Sequence, residues 1–169
     1  MILIYAFSNR WGTNVSTRTL VDLQNELKIY SNIIFQKINS SPRIFFEEFV
    51  RNKQYSVIVG LGDYNSYFDR IRIETKAANL YWRHSIIPNA ETEINLDIPL
   101  IDNLDTSVFC YGQKMGNSNC NWIAYQIQSY INQKKFTCYH LFFHLPSKTN
   151  SAINAQAIAD LLICNDLLQ

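Results

Sequence analysis

A cysteine stands in a small polar turn directly before an amphipathic stretch of the chain. In the segment 116–131, GNSNCNWIAYQIQSYI, Ile123, Ile127 and Ile131 recur at helical spacing, which predicts a helix that begins near Cys120. The positive end of the helix dipole and the unpaired N–H groups of its first turn favour a thiolate over a thiol. Cys120 is therefore a candidate nucleophile, and the alternative is a small residue that merely starts a helix.

A cysteine nucleophile needs a base within hydrogen-bond reach, and the base needs a group that orients it. The chain has three histidines. His84 lies in a polar loop, whereas His140 and His144 share one face of a predicted strand, where either could be a packed core residue. The four cysteines are far apart and form no CxxC pair, so the spacing typical of a metal site is absent.

The elements that would position these residues alternate between strand and helix. Apolar runs predict strands at 2–7, 32–35, 55–62, 107–111 and 136–145, and helical spacing marks 16–28, 45–50, the Cys120 helix and 151–168. Residues 71–82 begin as an extended segment. This order predicts an α/β fold, a three-layer sandwich with a mostly parallel central sheet and helices on both faces. We expect a single domain over residues 1–169.

Working groups in such sheets gather beyond the carboxyl ends of the strands. Four segments lie past or near predicted strand ends: 8–14, 62–67, 112–120 and the turn that holds His144 and Pro146. If the strands are parallel, Cys120 and His144 come from neighbouring strand–helix units and can meet in space.

Composition excludes several classes of function. The formal net charge is +1, which gives no electrostatic reason to expect nucleic acid or an anionic membrane as a partner. No basic leader precedes the first strand and no apolar run is long enough to span a bilayer, so we expect a cytoplasmic protein with reduced thiols. Gly60-Leu61-Gly62 lacks the third glycine of a dinucleotide-binding turn. We expect neither a metal nor an organic cofactor.

Three stretches together resemble pyroglutamyl peptidase I, or pyrrolidone-carboxylate peptidase, a family of cytosolic cysteine peptidases. The segment 115–121, MGNSNCN, resembles the family's nucleophile motif A-G-x-[FY]-x-C-N, and 142–146, FFHLP, resembles G-F-I-H-[IV]-P. Gly60-Leu61-Gly62 followed by 74–79, ETKAAN, resembles the strand end and the E-x-x-A-x-N motif that carries the family's glutamate. The order of the three motifs is also the family's order, and the resemblance covers nearly the whole chain.

The resemblance implies a role for each matching residue. Cys120 is similar to the family's nucleophile, His144 to its general base and acid, and Glu74 to the carboxylate that orients the imidazole. Arg83 stands nine residues after Glu74 and corresponds, with a gap of one, to the arginine near the oxyanion. The substrate implied is a peptide or small amide with an amino-terminal pyroglutamyl or related group.

Departures from the family concentrate where its substrate pocket would be. The family opens with G-F-x-P-F-G-G; this chain keeps Phe7, but Arg10 or Trp11 stands in place of the second phenylalanine. Asp63 replaces part of a glycine-rich turn, and Asn119 precedes the cysteine. By the resemblance these five residues are substrate-binding candidates. The chain is also shorter than a typical member, mostly between Glu74 and Cys120, where a family helix is expected to be missing or reduced to 101–105.

Three interpretations of function follow. The first is a divergent cysteine peptidase or amidase with an altered pocket. The second is a catalytically inactive homologue that serves as a binding or scaffold protein, and the third is an amidase that acts on a small molecule. Family members often form homo-oligomers, so assembly of identical copies is an open alternative to a monomer.

Overall fold

The computed structural model describes residues 1–64 and 69–169. Residues 65–68, which belong to the polar segment predicted after the third strand, lie outside the described part. The strands are β1 (Ile2–Phe7), β2 (Ile33–Ile38), β3 (Val57–Tyr64), β4 (Ile71–Glu74), β5 (Lys76–Ala78), β6 (Glu93–Asn95), β7 (Phe109–Gly112) and β8 (Tyr139–Pro146). The helices are α1 (Val15–Glu26), α2 (Pro42–Phe45) with a π-helical turn (Phe46–Val50), α3 (Asn119–Lys134) and α4 (Ser151–Cys164).

The central sheet has six strands in the order β2-β1-β3-β8-β4-β7. The first four strands run parallel to one another, while β4 pairs antiparallel with β8 and parallel with β7. The predicted α/β sandwich with a mostly parallel sheet is confirmed.

One detail of the predicted topology is wrong. Because β7 follows the direction of β4, its carboxyl end lies at the opposite edge from that of β8. Cys120 and His144 therefore do not come from neighbouring parallel strand–helix units. Periodicity reports which residues are buried on a strand and carries no information about its direction, so the reversal of this pair could not be predicted from the chain.

Apolar side chains alternate between the two faces of the sheet. Ile2 and Ile4 of β1 join the cluster that buries α1 and α4, whereas Leu3 and Tyr5 join the cluster that buries α2 and α3. This alternation produces the three layers, because each sheet face removes its apolar side chains from water against a separate pair of helices. Helix α3 therefore lies on the same face as the even-numbered residues of β8, which include His144.

The segment between Glu74 and Cys120 has no helix. It contains the small antiparallel sheet of β5 and β6, then a turn at 101–105, then β7. This agrees with the expectation of a helix that is missing or reduced at that point.

None of the described helices is both long enough and apolar enough to cross a membrane. Within residues 1–64 and 69–169, no cluster of three or more His, Cys, Asp or Glu side chains could hold a metal ion.

Candidate functional site

Glu74 and His144 form a buried hydrogen-bonded pair. The antiparallel register of β4 and β8 sets Arg72 opposite His144, so Glu74, two residues along the same face, reaches the imidazole. His144 Nδ1 lies 2.6 Å from Glu74 Oε1. Glu74 is fully buried and His144 is 5% exposed. An ionised Glu74 accepts the hydrogen on Nδ1, which leaves Nε2 as the ring's acceptor.

Cys120 and His144 converge over Gly62 of β3. A Cβ atom added to Gly62 would stand 2.8 Å from Cys120 Sγ and 3.1 Å from His144 Cδ2. Gly62 is also the register partner of His144. A side chain at Gly62 would collide with the thiol and crowd the imidazole, so this position requires a glycine. The Gly-Leu-Gly sequence alone did not indicate this requirement.

The thiol of Cys120 is less acidic than the sequence suggested. Burial, together with the smaller effect of the negative charges of Asp63 and Glu74, raises the pKa of Cys120 to about 12. Cys120 does occupy the first turn of α3, as predicted, but removal of the sulfur from water outweighs the helix terminus. The expectation of a thiolate favoured by the helix dipole is therefore wrong for the unliganded protein: its thiol is neutral at pH 7.

Asn121 connects the start of α3 by hydrogen bonds to β5 and the residues after it, the segment that follows Glu74. It is fully buried; its Oδ1 accepts from Ala78 N at 2.8 Å, and its Nδ2 donates to the carbonyls of Ala78 and Leu80 at 2.9 and 2.7 Å. Sequence reasoning gave this residue no role. An asparagine within an otherwise apolar helix face is the signal that could have marked it.

Arg72 is a second residue that sequence reasoning missed. Its Nε and Nη2 both lie 2.5 Å from Glu74 Oε1, the oxygen that also contacts His144. In a strand, residues two apart share a face, so an arginine two residues before a buried glutamate was the available signal.

Arg83 lies on a hairpin at 81–84 that borders the start of α3 at Asn119. Tyr81 Oη donates to Asn119 Oδ1 at 2.8 Å, and Trp82 N donates to the carbonyl of Asn117 at 2.8 Å. These bonds hold the hairpin beside the start of α3. Arg83 is exposed on the same hairpin.

The other predicted pocket residues separate into two places. Phe7, at the end of β1, packs edge-on against Tyr5 with ring centroids 6.5 Å apart. Arg10 stacks over the exposed ring of Trp11 at 5.0 Å. Arg10 and Trp11 line an open cleft of about 720 Å³, whose described lining does not include Cys120 or His144; its lining residues are Ser8, Asn9, Arg10, Trp11, Gly12, Thr17, Lys37 and Asn39.

Asp63 contacts the start of α1. Its Oδ1 accepts from Ser16 N at 2.8 Å and from Asn14 Nδ2 at 3.3 Å. A carboxylate at this end of a helix accepts a hydrogen bond from an otherwise unpaired N–H group and complements the helix dipole. Its charge also acts on Cys120, so Asp63 borders the candidate site.

The two remaining histidines, His140 and His84, differ in their burial. His140 is fully buried, and its Nδ1 lies 3.1 Å from Gln128 Oε1. Burial lowers the pKa of His140 to about 3, so its imidazole is neutral. His84 is exposed on the hairpin.

Comparison with solved structures shows that the overall fold of the chain is a known one. Pyrrolidone carboxyl peptidase from Fervidobacterium islandicum superposes with a TM-score of 0.74 at 19% identity, over 98% of this chain and 97% of that one. Pyroglutamyl peptidase I from Bacillus amyloliquefaciens gives 0.75 at 16% identity, over 95% and 94%. A mutant pyrrolidone carboxyl peptidase from Pyrococcus furiosus gives 0.76 at 14% identity, over 98% of both chains.

The chain has the fold of pyroglutamyl peptidase I. The resemblance inferred from three short motifs is thus confirmed at the level of the fold. No family sequence model and no curated protein sequence matches the chain, so the similarity is one of structure. The similarity in fold extends over nearly the full length of both partners in each comparison.

Proposed function

We propose that the chain is a cysteine peptidase or amidase, similar to pyroglutamyl peptidase I, that cleaves an amino-terminal pyroglutamyl or related amide. Cys120 is the nucleophile, His144 the general base and then acid, and Glu74 the carboxylate that orients the imidazole. The observation that carries this proposal is the buried 2.6 Å contact between Glu74 Oε1 and His144 Nδ1, together with the approach of both His144 and Cys120 Sγ to Gly62.

The first step is proton transfer coupled to attack. Because the pKa of the thiol is raised to about 12, the resting sulfur is a neutral thiol that needs a base to remove its proton. His144 Nε2 takes the thiol proton as sulfur attacks the amide carbonyl, and Glu74 stabilises the imidazolium that forms. His144 then gives this proton to the departing amine, and water hydrolyses the thioester.

Two groups are candidates for stabilising the oxyanion. The first backbone N–H groups of α3 have no intrahelical acceptor and lie beside the sulfur. Arg83 is the second candidate, because its hairpin is bonded to Asn117 and Asn119 immediately before Cys120.

The substrate-binding candidates support a changed specificity. Arg10 and Trp11 form an exposed stacked pair in a cleft shared with Lys37, rather than an apolar wall around a lactam ring. Phe7 and Asn119 remain candidates nearer to the nucleophile, and Asp63 adds a negative charge there.

The second candidate function is an inactive homologue that binds a peptide or partner. The observation in its favour is the raised pKa of Cys120, since a thiol that stays protonated and finds no effective base is inert.

An amide-hydrolysis assay distinguishes these two functions. Fluorophore release from pyroglutamyl and unsubstituted aminoacyl amides is measured for the wild type, Cys120→Ser, His144→Ala and the control Cys164→Ser. Cys164 is an exposed cysteine at the end of α4. We expect Cys120→Ser and His144→Ala to lose at least about a hundredfold in rate, with Cys164→Ser unchanged.

The inactive alternative makes the opposite prediction. Wild-type protein that releases no fluorophore from any amide, or release that persists in Cys120→Ser, would exclude the proposed reaction.

A further inference from the structure

We propose that Arg72 is a positioning residue that pairs with the buried Glu74 carboxylate and holds it against His144. This inference deepens the proposed function and depends on it. Its basis is that one oxygen, Glu74 Oε1, receives contacts from Arg72 Nε, Arg72 Nη2 and His144 Nδ1 at 2.5, 2.5 and 2.6 Å.

Glu74 needs a cation because it lies entirely out of water. The residue is 0% exposed, and its Oε2 has no hydrogen-bond partner among the described residues. A buried carboxylate without an opposite charge costs several kcal/mol and tends to be neutralised. Arg72 supplies a permanent positive charge beside this buried carboxylate.

Arg72 is itself fixed by groups from three directions. Its guanidinium lies 4.1 Å from the ring centroid of Tyr64, and its Nη2 donates to the carbonyl of Lys114 at 3.1 Å. Its backbone is the register partner of His144. A planar guanidinium held over a ring and bonded at one end has little freedom to leave the carboxylate.

Gly112 of β7 provides the space for this ion pair. It is the register partner of Glu74, and a Cβ atom there would overlap Glu74 Oε2 and approach Arg72 Nε to 2.7 Å. Any side chain at this position of β7 would displace the ion pair between Arg72 and Glu74, so the position requires a glycine.

The effect of Arg72 depends on the charged and titratable groups around the Glu74 carboxylate. Arg72 and His144 contact Glu74 directly, while the negative charges of Glu74 and Asp63 both act on the Cys120 thiol. With Glu74 ionised, His144 keeps its hydrogen on Nδ1 and offers Nε2 to the thiol. Arg72 thus acts through Glu74 and His144 and does not touch the reacting sulfur.

The pH dependence of Cys120 alkylation tests this role without knowledge of the substrate. Iodoacetamide labelling of Cys120, read by peptide mass spectrometry from pH 6 to 10, is compared among the wild type, Arg72→Gln, Arg72→Lys and Arg70→Met. Arg70 is a matched control, an exposed arginine two residues away that bonds only to the carbonyl of Thr106 among the described groups. Thermal unfolding of each variant monitors the fold.

We expect Arg72→Gln to label about tenfold more slowly at pH 7.5, with its profile moved to higher pH. Arg72→Lys, which restores the charge without the fork, should label within about threefold of the wild type. Arg70→Met should match the wild type. On a cleaved amide, Arg72→Gln should lower kcat and leave KM unchanged, which a general loosening of the fold would not do.

Equal or faster labelling of folded Arg72→Gln would overturn the proposal, as would labelling of Arg72→Lys more than tenfold below the wild type. If Arg72→Gln does not fold, the labelling rate of Arg72→Lys alone decides whether the proposal stands. Labelling of His144→Ala distinguishes a failure of the role of Arg72 from a failure of the proposed function. If His144→Ala leaves Cys120 labelling unchanged, the catalytic assignment fails; if it slows labelling while Arg72→Gln does not, only the role of Arg72 fails.

Discussion

Cys120 is subject to two opposing influences on its thiol. The first turn of α3 favours a negative sulfur, whereas burial and the charges of Asp63 and Glu74 oppose it and raise its pKa to about 12. The balance lies with burial because the helix terminus contributes only about 1 kcal/mol, less than the penalty of charging a group removed from water. A thiol in this state depends on a neighbouring base, and His144 is the one that converges on it.

The charge of Asp63 should be visible in the reactivity of Cys120. Asp63→Asn removes a charge that raises the thiol pKa but keeps an oxygen that can accept from Ser16 N. The thiolate fraction at a fixed alkaline pH must therefore rise. We expect iodoacetamide labelling of Cys120 at pH 9 to be about threefold to tenfold faster. Asp160→Asn on α4 is the control, and no change in Asp63→Asn would contradict the assigned cause.

Two glycines of β3 should respond differently to the same added methyl group. At Gly62 a Cβ would meet Cys120 Sγ and His144 Cδ2, whereas at Gly60 it would meet the Phe142 ring at 2.5 Å and the Tyr5 hydroxyl at 2.6 Å. A displaced reacting group costs about a hundredfold in rate, and overpacking of a core costs about 1–3 kcal/mol. We therefore expect Gly62→Ala to lose amide hydrolysis with a small change in Tm, and Gly60→Ala to lose mainly Tm. Equal activities would contradict the proposed alignment.

At the scale of elements, the site depends on how α3 is attached to the small sheet that follows Glu74. Asn121 supplies three hydrogen bonds to Ala78 and Leu80, in the segment that begins directly after β4. The helix that carries Cys120 and the segment that follows Glu74 are thereby joined by one buried side chain. Its loss should affect both stability and alignment.

Asn121→Leu is the direct test of this attachment. The leucine has a similar size but removes three hydrogen bonds and leaves the Leu80 carbonyl and the Ala78 N–H group without their Asn121 partner, so we expect a loss of about 3 kcal/mol in unfolding free energy by urea titration. Asn119→Ala removes one exposed bond to Tyr81 and should cost less than about 1 kcal/mol. A cost for Asn121→Leu no larger than that of Asn119→Ala would show that the contacts do not secure α3.

Most of these elements could be predicted from the chain because their buried faces follow helical or strand periods. Helix α3 begins at Asn119, one residue before the predicted start near Cys120, and β8 (Tyr139–Pro146) overlaps the predicted strand at 136–145. The reversed direction of β4 and β7 could not be predicted, since strand direction depends on pairing between distant segments. The Arg72–Glu74 pair was also missed, although both residues lie on one strand face, because an arginine on a strand is ordinarily a solvated side chain.

At the scale of the whole molecule, the fold agrees with known structures while the loop after β1 carries exposed polar and aromatic side chains. The sheet and both helical layers match pyroglutamyl peptidase structures over nearly the full chain. The loop after β1, in contrast, presents Arg10 and Trp11 to solvent. A fold tolerates such changes because its stability depends on the two apolar clusters, which this loop does not join. Specificity is therefore the property most open to change.

Specificity for the lactam ring is accordingly expected to be weak. Loss of an aromatic wall forfeits roughly 25 cal/mol per Å² of apolar contact, about 1–3 kcal/mol for one ring, which corresponds to tenfold or more in kcat/KM. We expect the wild type to cleave pyroglutamyl amides at least about tenfold less efficiently than its best unsubstituted aminoacyl amide. Arg10→Phe should recover about tenfold on the pyroglutamyl substrate, mainly by lowering KM. Arg18→Phe, which adds a ring at an exposed position of α1, is the control. A wild-type preference for pyroglutamyl amides, or an equal gain in Arg18→Phe, would mean that the loop after β1 does not determine which amide is cleaved.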